Sequence, residues 1–116
     1  MDVFVGASSG THKLMRNNGP GAGYTFTDVT AASGVLAVTA TGIENATYDF
    51  DNDGNLDIAS NGNILFGNGD LTFTTISFSA ISGSNGAFGD LNNDGFIDAF
   101  NSGFIRYNSG NDNHWI

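Results

Sequence analysis

The stretch Asp49-Phe-Asp-Asn-Asp-Gly-Asn-Leu-Asp57 recurs 41 residues later as Asp90-Leu-Asn-Asn-Asp-Gly-Phe-Ile-Asp98. Both copies fit the pattern Asp-x-(Asp/Asn)-x-Asp-Gly-x-x-Asp, which puts side-chain oxygens at positions 1, 3, 5 and 9 of each loop. The glycine at position 6 permits a sharp backbone turn, and the carbonyl of position 7 can supply a further oxygen. Because Ca²⁺ binds about six to eight oxygen ligands, each loop is predicted to hold one calcium ion, two per chain.

The predicted ligands follow from these loop positions, and the residues at position 7 contribute through their main-chain carbonyls. The first set is Asp49, Asp51, Asp53, Asn55 and Asp57, and the second set is Asp90, Asn92, Asp94, Phe96 and Asp98. The second loop carries one negative charge fewer, so we expect it to bind its ion more weakly. The alternative is that both loops are metal-free turns, in which the aspartates only cap main-chain groups.

An EF-hand calcium site shares the first half of this pattern, but it requires a bidentate glutamate at position 12. Ser60 and Asn101 occupy that position here, and the sequences that flank both loops are typical of strands rather than helices. The EF-hand is therefore excluded.

The acidic loops belong to a unit that occurs three times. Residues 13–19, 63–69 and 104–110 are copies of one element, offset by 50 and then by 41 residues. This period is typical of a β-propeller blade, which has four strands in roughly 40 to 50 residues. No window has the apolar spacing of a long helix. The predicted fold is all-β, with two to three four-stranded antiparallel blades in the chain.

The charge of the chain excludes several classes of partner. Eleven aspartates and one glutamate stand against three basic residues, which gives a formal charge of −9. Nucleic acids and anionic membranes are bound by clustered lysine and arginine, so neither is an expected partner. The chain has no cysteine, which excludes disulfides and thiolate metal sites. No stretch approaches the ~20 apolar residues that span a bilayer.

Catalysis is not expected. Residues 6–10 match the nucleophile pattern Gly-x-Ser-x-Gly around Ser8, but no helix is predicted after them, as that pattern requires. His12 has no second histidine or cysteine at metal-binding spacing, so it is interpreted as a polar surface or interface residue. The carboxylates that could serve glycoside hydrolysis are already committed to the metal-loop spacing. We predict that the protein is not an enzyme.

The segments Ala87-Phe-Gly-Asp-Leu-Asn-Asn-Asp-Gly-Phe-Ile-Asp98 and Tyr48-Asp-Phe-Asp-Asn-Asp-Gly-Asn-Leu-Asp-Ile58 resemble the FG-GAP or VCBS repeat. This repeat forms the calcium-loop blades of integrin α-subunit propellers and of many secreted microbial proteins. Residues 24–35 and 111–116 are similar to the microbial VCBS propellers of the ASPIC/UnbV type. The resemblance implies a calcium loop between the first and second strands of each blade, a structural or adhesive binding function, and an extracellular or periplasmic location.

The match to the repeat implies one partial propeller domain over residues 1–116. We expect an incomplete blade at 1–42, a full blade at 43–83 and a third blade at 84–116. Asp2 aligns with the last position of an acidic loop, so the first unit is expected to bind no metal.

Propellers of this type close with about six to eight blades, and a shorter stack leaves apolar faces exposed. We therefore expect a homo-oligomer, either a dimer or a trimer that completes the ring. The alternative is that the chain is a piece of a longer protein. The expected ligand is a protein or a glycan, and the alternative function is that of a calcium-dependent, lectin-like propeller that binds glycans between its blades.

Overall fold

The structure is a computed structural model, and it describes residues 1–38, 45–77, 86–101 and 103–110. Ten strands in the described residues form three antiparallel sheets, one with four strands and two with three. This arrangement confirms the predicted all-β fold and is consistent with propeller blades, none of which closes a ring. The predicted blade boundaries at 42/43 and 83/84 lie outside the described residues.

Within each sheet, strands that follow one another in the chain are paired. The first sheet contains β1 (Val3–Val5), β2 (Lys13–Asn17) and β3 (Phe26–Asp28). The second sheet contains β4 (Asn45–Tyr48), β5 (Asp57–Ser60), β6 (Asn63–Gly67) and β7 (Phe73–Ser77). The third sheet contains β8 (Ala87–Gly89), β9 (Asp98–Asn101) and β10 (Phe104–Arg106).

Helical structure is short wherever the structure describes the chain. It comprises α1 (Thr30–Ser33) and single 3-10 turns at Pro20–Ala22 and Val35–Ala37. Gly34 ends α1 with a φ of 85°, a conformation that glycine adopts without steric cost. Among the described residues, no helix has the length and apolar character needed to cross a membrane.

The turn Asn61-Gly62 connects β5 to β6, and Asn-Gly is a residue pair that favours two-residue hairpin turns. Both residues have positive φ, 47° and 74°, which is the geometry of a two-residue hairpin turn. The turn sets the register of the hairpin, in which Ile58 is opposite Leu65 and Ala59 is opposite Ile64. Because neighbouring residues of a strand point to opposite faces, these two pairs lie on opposite faces of the second sheet.

The second sheet lies between the other two, and all four residues of its strand β5 are buried. Ile58 belongs to an apolar cluster with Leu14 of the first sheet. Ala59 belongs to a second cluster with Ala99 of the third sheet. A strand that is covered on both faces has no solvent-facing side, so the usual alternation of apolar and polar residues is lost.

His12 connects the first sheet to the second. Its side chain is only 1% exposed, and its Nε2 lies 3.3 Å from the Ser60 hydroxyl. The Nδ1 atom accepts a hydrogen bond from the Ala7 N–H (3.2 Å), so the neutral ring carries its proton on Nε2 and donates it to Ser60. Burial lowers the pKa of His12. His12 is thus a neutral interface residue, one of the two alternatives that the sequence left open.

Candidate metal centre

Each acidic loop connects the first strand of a sheet to the second, β4 to β5 and β8 to β9, as the repeat implies. The carboxylate at position 1 organises the loop. Asp49 accepts hydrogen bonds from the Asp53 N–H at Oδ1 (3.0 Å) and from the Gly54 N–H at Oδ2 (2.9 Å). The second loop repeats both bonds around Asp90 at the same two distances. The two loops therefore share one backbone frame.

Two residues in each loop adopt a left-handed backbone conformation. Position 4 is Asn52 in the first loop and Asn93 in the second, with φ values of 59° and 62°. Position 6 is Gly54 or Gly95, and both have a φ of 91°. Asparagine tolerates this region better than most residues with a side chain. Sequence reasoning accounted for the glycine, but it assigned no role to position 4.

The aspartate at position 9 is the most buried residue of each loop, and both Asp57 and Asp98 are 0% exposed. The two oxygens of Asp57 accept hydrogen bonds from the Phe50 N–H (2.7 Å) and the Gly67 N–H (2.8 Å). Asp98 accepts from the main chain of Leu91 and Asn108, both at 2.8 Å. This carboxylate therefore ties the start of the loop to the end of the sheet's third strand.

Asp2 makes the corresponding bond in the first sheet. Its Oδ1 accepts a hydrogen bond from the Asn17 N–H at the end of β2 (2.7 Å), as Asp57 does from Gly67 at the end of β6. This contact agrees with the alignment of Asp2 to the last position of an acidic loop.

The structure brings together positions 1, 3 and 9 of the first loop. One carboxylate oxygen from each of Asp49, Asp51 and Asp57 lies within 4.8 Å of the other two. The searched residues include no such group of three acids in the second loop, because its position 3 is Asn92. The Asn92 Oδ1 nevertheless accepts the Asp94 N–H at 3.2 Å, as the Asp51 Oδ1 accepts the Asp53 N–H at 3.2 Å.

The predicted ligands at positions 5 and 7 contact each other. The Asp53 carboxylate accepts hydrogen bonds from the Asn55 N–H (2.7 Å) and from its side-chain amide (2.8 Å), and it is not part of the three-carboxylate group. In the second loop, Asp94 accepts the Phe96 N–H at 2.9 Å. An incoming cation would compete for the position 5 carboxylate with these local bonds.

Burial sets the charge state of the first loop. The pKa of Asp57 is raised to about 6, chiefly by desolvation and also by the nearby Asp51 and Asp49 carboxylates, against the hydrogen bonds from Gly67 and Phe50, which lower it. Desolvation also raises the pKa of Asp51. A positive charge placed among such close carboxylates stabilises their ionised forms. All the side chains here offer oxygen atoms, the donor type that calcium prefers, so the residues fit that ion.

The two loops also contact each other across the sheets, which the sequence did not predict. The Asn52 side-chain amide donates to the Gly95 carbonyl of the second loop (3.1 Å). The Asn108 amide, which is buried, donates to the Phe50 carbonyl of the first loop (2.6 Å). A sequence signal does exist for Asn108, since Asn17 stands at the same place in the first copy of the repeated element.

A family model described as an FG-GAP-like repeat matches residues 1–60, just over half of the chain. The matched range contains the first sheet, the first acidic loop and the buried strand β5. No curated protein and no solved structure matches the chain.

Proposed function

Because the chain belongs to the FG-GAP-like repeat family, we propose that it is a calcium-binding β-propeller module for structural or adhesive binding. The observation that carries the proposal is the convergence of Asp49, Asp51 and Asp57 within 4.8 Å, on a backbone frame that the second loop repeats. Asp53 and Asp94, together with the position 7 carbonyls, would complete the oxygen shells.

Calcium would act as a structural ion in these loops. Three ionised carboxylates this close together repel one another, and a divalent cation reverses the sign of that interaction. Calcium accepts irregular shells of oxygen ligands, whereas magnesium requires a tighter octahedron and retains more water. At a free calcium concentration 100-fold above the dissociation constant, each site would stabilise the fold by roughly 2.7 kcal/mol.

The proposal is for a binding module rather than an enzyme. FG-GAP repeats are generally non-enzymatic structural or binding modules, and they are typically extracellular. An extracellular location also suits two shallow, largely exposed loops, because calcium sites of extracellular modules bind in the range of about 10⁻⁴ to 10⁻³ M.

We propose a protein rather than a glycan as the ligand. The large apolar side chains exposed on the acidic loops themselves are aliphatic, Leu56 and Leu91. A sugar ring is bound best on the face of an aromatic side chain, whereas aliphatic groups suit a protein surface. A glycan array probed with and without a chelator tests this choice, and calcium-dependent binding to any glycan would favour the lectin-like alternative.

Isothermal titration of calcium into chelator-treated protein tests the calcium sites. We expect two ions per chain, with the weaker site in the second loop. Asp51→Asn removes a charge from the first loop and should weaken that site roughly tenfold, whereas Asn92→Asp should strengthen the second site by a similar factor. Asp70→Asn is the matched control, because Asp70 is exposed and lies outside both loops.

The proposal fails if millimolar calcium produces neither binding heat nor a rise in melting temperature. It also fails if Asp70→Asn weakens binding as much as Asp51→Asn, since binding would then depend on net charge rather than on the loop.

A further inference from the structure

The two interfaces between sheets use the same positions of the repeated unit. Phe4 and Leu14 of the first sheet pack against Ile58 and Leu65 of the second, together with Phe73. The strand pairings show that Ala59 and Ile64 of the second sheet are equivalent to Phe4 and Leu14 of the first. Ala59 and Ile64 pack against Ala99 of the third sheet. Each sheet thus has a front face and a back face. In the order of the first, second and third sheet, the front faces are defined by Phe4/Leu14, Ala59/Ile64 and Phe100/Ile105. In the same order, the back faces are defined by Val3/Met15/Phe26, Ile58/Leu65/Phe73 and Ala99/Arg106.

Among the described residues, no further sheet covers the back face of the first sheet or the front face of the third. On the back face of the first sheet, Val3 and Phe26 are 42% and 47% exposed, whereas the equivalent Ile58 in the second sheet is 3% exposed. On the front face of the third sheet, Phe100 and Ile105 are both 43% exposed. Positions of the repeat whose apolar side chains are covered at the internal interfaces therefore carry exposed apolar side chains at the two ends of the stack.

A buried hydrogen bond accompanies the internal interface of the second and third sheets. The Asn108 amide donates to the Phe50 carbonyl, and the Asn108 Oδ1 accepts the Gly110 N–H at 3.1 Å. Asn17 has the corresponding place in the first sheet, and its Oδ1 likewise accepts the Gly19 N–H at 2.8 Å. Leu91 stands at position 2 of the second loop, as Phe50 does in the first.

We propose that copies of this chain associate head to tail, with the Phe100/Ile105 front face of one copy packed on the Val3/Met15/Phe26 back face of the next. In this interface the Asn17 amide donates to the Leu91 carbonyl of the neighbouring copy, as Asn108 donates to Phe50 within the chain. Such a heterologous contact joins copies into a ring if its rotation closes, and otherwise into an open assembly.

Net charge opposes the association but does not prevent it. Each chain carries a formal charge of −9, and the two calcium ions of the proposed function would reduce it to −5. The packing depends on the sheet faces and not on the ions. The inference therefore rests on the blade architecture of the proposed function, and not on its calcium binding. Association should be stronger with calcium or added salt, because both weaken the repulsion.

A mixing experiment with two face variants tests the direction of packing. Val3→Asp places a charge on the back face and Phe100→Asp places one on the front face, and each should weaken self-association roughly 100-fold. Each variant keeps the face that the other has lost. An equimolar mixture should therefore form a heterodimer, with twice the chain mass of 12.1 kDa, while each variant alone is monomeric. Analytical ultracentrifugation at high micromolar concentration measures these masses.

Two further variants separate the interface from general effects. Phe104→Asp is the matched control for Phe100→Asp, because Phe104 is 62% exposed but lies on the opposite face of the same sheet. It should associate like the wild type. Asn17→Asp keeps an oxygen that can accept the Gly19 N–H, but it replaces the amide donor with a negatively charged oxygen that repels the Leu91 carbonyl, so it should weaken association roughly tenfold or more. Circular dichroism confirms that each variant is folded.

The inference is overturned if the wild type stays monomeric, if both face variants associate like the wild type, or if a mixture of the folded variants remains monomeric. Loss of association in only one face variant would indicate a symmetric contact between like faces, which also overturns it. A calcium titration run beside these measurements reports separately on the metal sites.

Discussion

Acidification should weaken calcium binding at the first loop, because a proton and the cation compete for Asp57. This carboxylate is 0% exposed, and burial raises its pKa from 3.8 to about 6. At pH 7 the group is mostly ionised in the metal-free protein. One pH unit below the pKa, roughly 90% of the molecules carry the proton, which calcium must then displace.

The magnitude follows from the size of this shift. Between pH 7 and pH 5 the ionised fraction of Asp57 falls roughly tenfold, so the calcium affinity of the first loop should fall roughly tenfold, or about 1.4 kcal/mol. In metal-free protein the sign is opposite. The folded pKa of Asp57 lies above its unfolded value of 3.8, so its contribution to stability increases as the pH falls from above 6 towards 3.8, by up to about 3 kcal/mol.

Calorimetry in two buffers of different ionisation enthalpy measures this competition directly. Near pH 5 close to one proton should be released for each calcium bound at the first loop, and near pH 7 close to none. Urea denaturation with calcium and with chelator provides the second measurement, and their difference cancels the titration of His12, which lies outside both loops. Equal calcium affinity at the two pH values, with no proton release, would refute the assignment of Asp57 as a ligand.

Three further predictions concern the fold. Ile64→Ala should destabilise the protein by about 3 kcal/mol in denaturant titrations, because Ile64 is fully buried, whereas Leu56→Ala at an exposed loop position should change the stability by less than about 0.5 kcal/mol. Gly67→Ala should lower the free energy of unfolding by about 2 kcal/mol or more, since its Cβ would overlap the Leu56 carbonyl. Gly89→Ala is the control, because the space around Gly89 is open. Equal melting temperatures for the two variants would contradict the packing around Gly67. The pKa of His12 measured by NMR should lie below its usual 6.5. Because the folded pKa is lowered, the contribution of His12 to stability is lost as the pH falls below 6.5, and a pKa at or above 6.5 would contradict the burial of a neutral ring.

Much of the candidate site could be predicted from the sequence because its interactions are local. The bonds from Asp53 and Gly54 to Asp49 span four and five residues, and the two loops form them with the same distances. The same locality explains the Asn61-Gly62 turn. A nine-residue pattern contains every group that such a frame needs, so its repetition indicates a common structure before any fold is known.

The interactions between sheets could not be predicted from the sequence in the same way. The bonds that join Asn108 to Phe50 and His12 to Ser60 connect residues 58 and 48 positions apart. The sequence could show that Asn17 and Asn108 are equivalent, but not which carbonyl either one faces. The raised pKa of Asp57 likewise comes from burial, which depends on the packing of the whole sheet.

The all-β character, the repeated unit and the pattern of oxygen-bearing residues in the acidic loops could be read from the sequence, since these depend on spacing along the chain. Only the tertiary structure decided which face of each sheet is covered. Val3 and Ile58 occupy equivalent positions and are both aliphatic, yet Val3 is exposed and Ile58 is buried. The physical reason is that burial belongs to a pair of packed surfaces, and a repeated sequence presents the same surface whether or not a neighbour covers it.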